Sequence, residues 1–557
     1  MAMQQFLAGH REWDGYDYFG RLAEQQPARR ALFGSLQGLM QARVAGDVAL
    51  LRRVAWVESA IAKLDAGVAA DPLLGRLARG LVFADLPPRF GKASQAAGDL
   101  EFVLGHADDI PVSMFRGIYR GLAGAYHDLG NEQRSVEMLR LSGFTSLEET
   151  PRLLVDVAVS PTDGFRFGRR RLVKEAENVY VAEGYDFANL SFLLADDFVV
   201  AIDAGTNERT AREAREALRT VTRAPIKYII LTHGHWDHVG GLAALRDPGS
   251  IVIAQAAFPT VLARSRRAPP PIHDFFGSVP QSLDVTPDRL VSSNESLSEG
   301  GLDLALLPGP SGETEDALYV LDKKHDILFV GDAFMPYLGA PFVAEGSAEG
   351  YRAAIDFVLN LKPRRLVHGH SPLSWLFTIE AMPGLRDATA ALFAHTIDAA
   401  NAARSVADVL HDGFIPPGLR ASPKAVAPFL VLRDGFVQRT YQEHGGYWQR
   451  DGTGVNLFTR EEWARSLDLL AGESDTRFVR AVRALLDRGD APMAFQLAES
   501  GLLQHPDSTD LRAARQMALS TLLERTAAAS PFRFIMYSEW SGKSLAPVAV
   551  PGQATTH

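Results

Sequence analysis

Ile226-Lys227-Tyr228-Ile229-Ile230-Leu231-Thr232-His233-Gly234-His235-Trp236-Asp237-His238-Val239-Gly240-Gly241 is the stretch that decides the fold. Its opening apolar run, residues 226–231, has the length and β-branched content of a buried strand in a mixed sheet. Four metal-type side chains follow at once: His233, His235, Asp237 and His238. Gly234 permits a tight turn, and Gly240-Gly241 let a helix begin close behind. The ligands are therefore expected on a loop at a strand end, with a rigid sheet supporting them. His233 and His235 can turn to one ion, and Asp237 and His238 to a second beside it. Imidazole and carboxylate donors suit zinc, manganese or iron.

Outward from this stretch the pattern is of short strands. Upstream, Leu172-Val173 and residues 179–181, 190–194 and 199–202 are β-type runs separated by turns. Asp203 directly follows the last of them, and residues 210–221 read as an amphipathic helix. Arg169, Arg170 and Arg171 read as a solvated charged face. Downstream, residues 251–253 are another strand. The segment 264–280, with Arg264, Arg266, Arg267, Pro269-Pro270-Pro271, His273, Phe275 and Phe276, reads as a long loop, either a lid beside the metals or a surface crossover. Three further strand ends carry ligand-type residues. Residues 304–307 lead into Pro308-Gly309-Pro310-Ser311-Gly312-Glu313-Thr314-Glu315-Asp316, residues 327–330 into Gly331-Asp332, and residues 366–367 into His368-Gly369-His370.

The H-x-H-x-D-H motif, with these later strand ends in this order, resembles the metallo-β-lactamase superfamily. That resemblance implies an α+β fold, an αββα sandwich of two sheets with helices outside. It implies that Asp203 braces the ligand loop, that Asp332 bridges both metals and that His370, rather than His368, completes the second site. Asp237 and Asp332 become the expected catalytic carboxylates. The family's usual Pro-Gly-His-Thr is missing, and Glu313 stands where its His would be, with Glu315 as the alternative. A Glu there resembles the alkylsulfatase-like subfamily. Residues 185–192 resemble that subfamily's strand before the motif. The region after His370, with Tyr441-Gln442-Glu443, Gly445-Gly446-Tyr447-Trp448 and a tetratricopeptide-like pair from 478 to 523, resembles its helical dimerisation domain. The resemblance spans roughly residues 175 to 545.

The organisation that follows has four parts: an N-terminal helical region at 1–164, a catalytic domain at 165–385, a helical domain at 386–545 and a tail at 546–557. Residues 1–160 carry apolar residues at helical spacing, with a helix–turn–helix over 114–141 that resembles a tetratricopeptide hairpin. A chain of 557 residues is too long for one ordinary core. Its 46% hydrophobic and 22% charged residues are those of a globular protein. The net charge of −10 gives no nucleic-acid footprint, and the absence of cysteine excludes disulfides and thiolate metal sites. There is no basic-then-apolar leader and no apolar run near the roughly 20 residues that span a bilayer. A cytoplasmic protein is expected.

These readings converge on a hydrolase with two Zn2+ ions (Mn2+ or Fe2+ as alternatives) that uses a metal-bound hydroxide on a small-molecule ester. By resemblance the substrate is a sulfate ester with an apolar tail. The alternative is a lactone, carboxylic ester or phosphate ester. Alkylsulfatases follow the bridging carboxylate with polar residues and an Arg, whereas here Asp332 precedes Ala333-Phe334-Met335-Pro336-Tyr337-Leu338. Arg352, His273 and Tyr337 are the candidate substrate-binding residues, and Phe334, Tyr337, Phe342, Phe275 and Phe276 candidates for an apolar wall. Two divalent ions against three carboxylates and a hydroxide leave the cluster about neutral, so an anionic substrate needs a cation nearby. A homodimer through the C-terminal helices is the expected assembly, with no nucleic acid and no membrane span.

Overall fold

A computed structural model describes residues 12–111, 114–144, 146–147, 170–265, 283–338, 345–445, 455–527 and 530–542. The chain divides into two compact units: Met1–Arg152 with Pro417–Ala427 and Ala549–His557, and Leu153–Pro416 with Pro428–Val548.

The first unit is helical: Glu12–Gln25, Arg30–Arg43, Leu50–Ala70, Pro72–Asp85, Ala93–Gly105, Phe115–Asp128 and Glu132–Ser142. Local chemistry sets the boundaries. Asp71 caps the helix that starts at Pro72, accepting from the amides of Leu73 and Leu74. Asn131 caps the last one at the amide of Arg134. Asp99, buried between helices, is held by Arg79 at 2.6 Å and Arg76 at 3.0 Å.

The second unit is built on two sheets. The first contains β1 (Arg171–Ala176), β2 (Val179–Glu183), β3 (Leu190–Leu194), β4 (Val199–Ile202), β5 (Ile226–Ile230), β6 (Ile251–Gln255) and β7 (Arg289–Val291), in that order across the sheet. It runs antiparallel from β1 to β4 and parallel from β4 to β7. The second contains β8 (Glu295–Glu299), β9 (Leu302–Pro308), β10 (Leu318–Asp322), β11 (Ile327–Gly331) and β12 (Arg365–His368), in spatial order β12-β11-β10-β9-β8. Only its β11–β12 pair is parallel.

Strand alternation explains the layering. Val200 and Ile202 of β4 and Ile230 of β5 pack between the sheets against Leu304, Leu306, Val320 and Phe329. Their neighbours Val199, Ala201 and Ile229 face the other way, onto Ala211, Ala214 and Leu218 of the helix Glu208–Leu218. The helix Ala348–Leu361 sends Phe357 against Tyr319 of β10, with ring centres 4.9 Å apart. The αββα arrangement expected from sequence is the one observed.

After residue 370 the unit is helical again, and the helices Asp475–Asp487, Ala491–Gln504 and Thr509–Ala527 share a core of Val482, Phe495, Ala498, Ala518 and Leu522. Among the described residues no helix is long and apolar enough to cross a membrane. The expected lid residues Arg266, Arg267, His273, Phe275 and Phe276, together with Phe342, lie outside the described residues.

Candidate metal centre

The strand ends of β4, β5, β11 and β12 and the loop after β9 converge. Leu318 donates its amide to the Thr232 carbonyl at 2.8 Å, which ties the two sheets together, and Gly369 donates to Gly331 at 2.9 Å, which joins the ends of β11 and β12. Asp237 and His238 sit in one helical turn, Trp236–Val239, rather than in the open loop expected from sequence. That turn projects both side chains back toward the sheet end.

Two groups of ligand-type atoms result: His233, His235 and Glu313, and Asp237, His238, Asp332 and His370, the atoms of each lying within 4.8 Å of one another. In the first, Glu313 Oε2 is 3.3 Å from His233 Nε2 and Oε1 is 3.5 Å from His235 Nδ1. In the second, His370 Nε2 is 2.9 Å from Asp332 Oδ2 and 3.3 Å from Asp237 Oδ2. His238 Nε2 lies 3.4 Å from Asp332 Oδ2 and 3.5 Å from Asp237 Oδ2. All seven are buried except His235, which is partly so.

These residues fit a pair of divalent cations on an observation internal to the structure. His233 Nε2, His238 Nε2, Glu313 Oε2 and Asp332 Oδ1 are buried without a hydrogen-bond partner. Orphaned polar atoms of this kind are costly unless something else satisfies them. Here they all face one another.

The other edges of the imidazoles are occupied. His238 Nδ1 meets Asp203 Oδ2 at 2.9 Å, His370 Nδ1 meets the Phe187 carbonyl at 2.9 Å, and His233 Nδ1 meets Thr232 Oγ1 at 3.1 Å. His235 Nε2 is hydrogen-bonded to Glu345. Sequence reasoning identified Asp203 but missed Thr232, Phe187 and Glu345. Phe187 is fixed in turn by Asp186, which accepts its amide at 2.6 Å. Asn189 ties the same segment to the β12 end, donating its amide to Gly369 at 2.6 Å and its Nδ2 to His368 at 3.2 Å. Gly369 is required where it stands: a Cβ there would sit 2.5 Å from His238 Cε1 and closer still to Asp332 Oδ1.

The electrostatics are those of a mutually compensating cluster. Burial pushes Glu313 up to about 7, aided by Asp332 and Asp237 and opposed by His235. Burial works against the charged form of His370, but Asp332 and Asp237 outweigh it and raise the ring to about 10. His238 is raised well above the ordinary histidine range in the same way, burial being overcome by Asp237, Asp332 and Asp203. His235 is also raised, with Glu313 and Glu345 overcoming burial. Burial, then the neighbouring His238 and His235, lower His233 well below it. Without metal, the buried carboxylates favour protonation of His235, His238 and His370. Divalent cations offer the same compensation with neutral rings.

Other candidates fall apart from the cluster. Glu315 has a largely exposed side chain and pairs with Arg264 at 3.1 Å, so Glu313 alone of the two reaches the histidines. His368 turns away, its Nε2 3.0 Å from the Phe377 carbonyl, and burial lowers it to about 4. Arg352 lies over the Phe393 ring, 4.9 Å from its centre, rather than over the ligand groups. Phe334 is fully buried against Tyr351 and His368, a core residue rather than a pocket wall. Tyr337 packs edge-on to Phe532 at 5.2 Å, and Phe532 meets Phe187, which stacks on Trp236 and touches His370. A pocket of about 280 Å³ adjoins the first group, lined by Arg264, Ser311, Glu313, Glu315, Glu345 and Ser347 among others.

Comparison with known proteins agrees with this geometry. Residues 184–370 match the metallo-beta-lactamase superfamily model. This part of the chain, with ligand-type residues at converging strand ends of two sheets, is similar to that superfamily. The solved structure of the stereoselective inverting sec-alkylsulfatase Pisa1 from Pseudomonas sp. shares the fold at 19% identity and a TM-score of 0.55, over 66% of this chain and 64% of that one. The uncharacterized protein YobT of Bacillus subtilis is 30% identical over 114 residues, 20% of this chain and 47% of YobT. The alkyl/aryl-sulfatase BDS1 of Saccharomyces cerevisiae is 31% identical over 75 residues, 13% of this chain and 12% of BDS1. The chain thus spans less than two thirds of the length of each of these relatives.

Proposed function

We propose that this chain is a binuclear metal-dependent hydrolase whose substrate is a sulfate ester with an apolar tail. The observation that carries the reading is the pair of ligand groups with inward-facing, otherwise unsatisfied atoms. His233, His235 and Glu313 would hold one ion; Asp237, His238 and His370 the other; Asp332 would lie between them. Two divalent ions bound there would supply Lewis acidity and lower the pKa of a water to about 7. The chain's own part is to fix the donors. Asp203 and the Phe187 carbonyl aim His238 and His370, and the sheet ends hold Asp332 against both. Trp236 and Phe532, the partly exposed members of the aromatic run beside His370, would offer an apolar side to a hydrocarbon tail. No serine or cysteine nucleophile is needed.

The sulfate reading draws on likeness to Pisa1 and BDS1 and on the Glu in place of His at 313. A specific observation favours a second substrate class, a neutral ester or lactone. Asp332 is followed by the buried apolar Ala333 and Phe334, Arg352 stacks on Phe393, and Arg264 is paired with Glu315. The test is inorganic sulfate release from a medium-chain alkyl sulfate by metal-loaded protein, with and without chelator. Chelator-sensitive release supports the sulfatase reading. No release from protein that holds two ions rules it out in favour of neutral esters. Zinc as the metal, a homodimer through the C-terminal helices, a cytoplasmic location and domain limits at 165–385 and 386–545 belong to the same reading. Metal analysis, light scattering, fractionation and limited proteolysis test them in turn.

A further inference from the structure

The four imidazoles of the centre do not present the same nitrogen. His233, His238 and His370 turn Nε2 inward and use Nδ1 for a partner behind. His235 is reversed: its Nδ1 faces Glu313 at 3.5 Å and its Nε2 meets Glu345. A neutral imidazole has one N–H and one lone pair, and the hydrogen bond made by one nitrogen decides which nitrogen is free to ligate. A carboxylate accepts and cannot donate, so Glu345 requires the proton on Nε2 and leaves the Nδ1 lone pair free.

Glu345 is held for this task by backbone contacts to the same loop that carries Glu313. Ser347 donates its amide to the Gly312 carbonyl at 3.0 Å. Gly346 has φ +90, and a Cβ there would sit 2.9 Å from the Glu313 carbonyl oxygen. Ser347 caps the helix Ala348–Leu361 through the Gly350 amide at 3.0 Å, and Glu443 accepts the Ala348 amide at 3.2 Å. The His235 ring is thus clamped between two carboxylates on mutually anchored segments. Glu345 is also the member of this second layer that lines the pocket, with its side chain about one-third exposed (32%).

We infer that Glu345 is a positioning residue for the first ion: it accepts a hydrogen bond from the Nε2–H of His235 and so commits Nδ1 to metal beside Glu313 and His233. The inference rests on the metal-centre reading above. It assigns to a residue 110 positions from the motif the part that Asp203 plays for His238. Partners of this kind are typically worth about 10–100-fold in metal affinity.

The test is zinc affinity by competition with a chromophoric chelator, and the visible spectrum after cobalt loading, for wild type, Glu345→Ala and Glu345→Gln, each checked for fold by circular dichroism. The expected result for Glu345→Ala is a loss of about 10–100-fold at one of two sites, a changed cobalt spectrum, and the other site unaltered. Glu345→Gln, whose amide oxygen still accepts the Nε2–H, is expected to recover most of that loss. Wild-type affinity at both sites in Glu345→Ala overturns the inference. So does equal weakening of both sites, because Glu345 touches one group only. A wild-type chain that binds no second ion would overturn the metal-centre reading itself, and the wild-type titration shows that result without any variant.

Discussion

Asp203 and His238 are joined by a 2.9 Å hydrogen bond from Nδ1 to Oδ2, and the same carboxylate accepts the Thr232 amide at 2.8 Å and its hydroxyl at 2.9 Å. Asp203 does this from a left-handed backbone, φ +61, directly after β4. One side chain therefore fixes both the turn that carries His233 and the ring that faces Asp237 and Asp332. Aspartate tolerates that backbone region better than most residues, because its short side chain bonds locally. Asp203→Ala should weaken metal binding at the second group by about 10–100-fold, read by chelator competition, with secondary structure retained. Unchanged affinity would remove Asp203 from the account.

Gly369→Ala tests the crowding at the end of β12. The added methyl would meet Asp332 and His238 before it met anything else. The expected outcome is loss of the second ion with the sheets intact, seen as roughly halved metal content at an unchanged circular dichroism spectrum. A fully loaded variant would contradict the packing described.

Metal uptake should release protons. His235 and His238 are raised well above the ordinary histidine range and His370 to about 10, so in the metal-free protein they hold protons at neutral pH. A ligating ring must be neutral, and each such proton has to leave. Calorimetric titration of zinc at pH 7 in buffers of different ionisation enthalpy should report net proton release, and affinity should rise with pH. Binding without proton release would mean the rings are neutral beforehand.

His368 gives a stability signal of a definite sign. Burial holds it down to about 4, below an ordinary histidine's 6.5, and its Nε2 is bonded to Phe377. The unfolded chain takes up a proton that the fold refuses. Its contribution is therefore complete above about 6.5 and is lost as pH falls toward 4, by about 3 kcal/mol at most. Metal-free His368→Gln should lose less stability than metal-free wild type between pH 7 and pH 4, measured by urea unfolding. Parallel losses would contradict the assignment.

The ligand-type side chains that the structure brings together were legible because their information is local. His233 to His238 lie in one short stretch, and Asp332 and His370 each end an apolar strand. Of their supports only Asp203, which directly follows a strand, was legible, because sequence gives no sign of long-range pairing. Glu345 lies 110 residues from His235, and the His370 partner is a backbone carbonyl 183 residues away, which leaves no trace in side-chain identity. The strands divide in the same way. β4 and β11 are continuous apolar runs buried on both faces, and β5 is apolar but for Lys227, so all three could be read directly. β8, Glu-Ser-Leu-Ser-Glu, offers one buried residue, and the three-residue β7 is too short to show a period. β10 is an apolar run between the Gly- and Pro-rich Glu313 loop and Lys323-Lys324, and sequence reasoning missed it.

The most direct test of the central claim is metal content per chain, by mass spectrometry of zinc-loaded, desalted protein, for wild type beside His233→Ala and His370→Ala. The two ligand groups predict two ions in wild type and one in each variant. No more than one ion in wild type, or two in both variants, would contradict a centre made of these seven side chains.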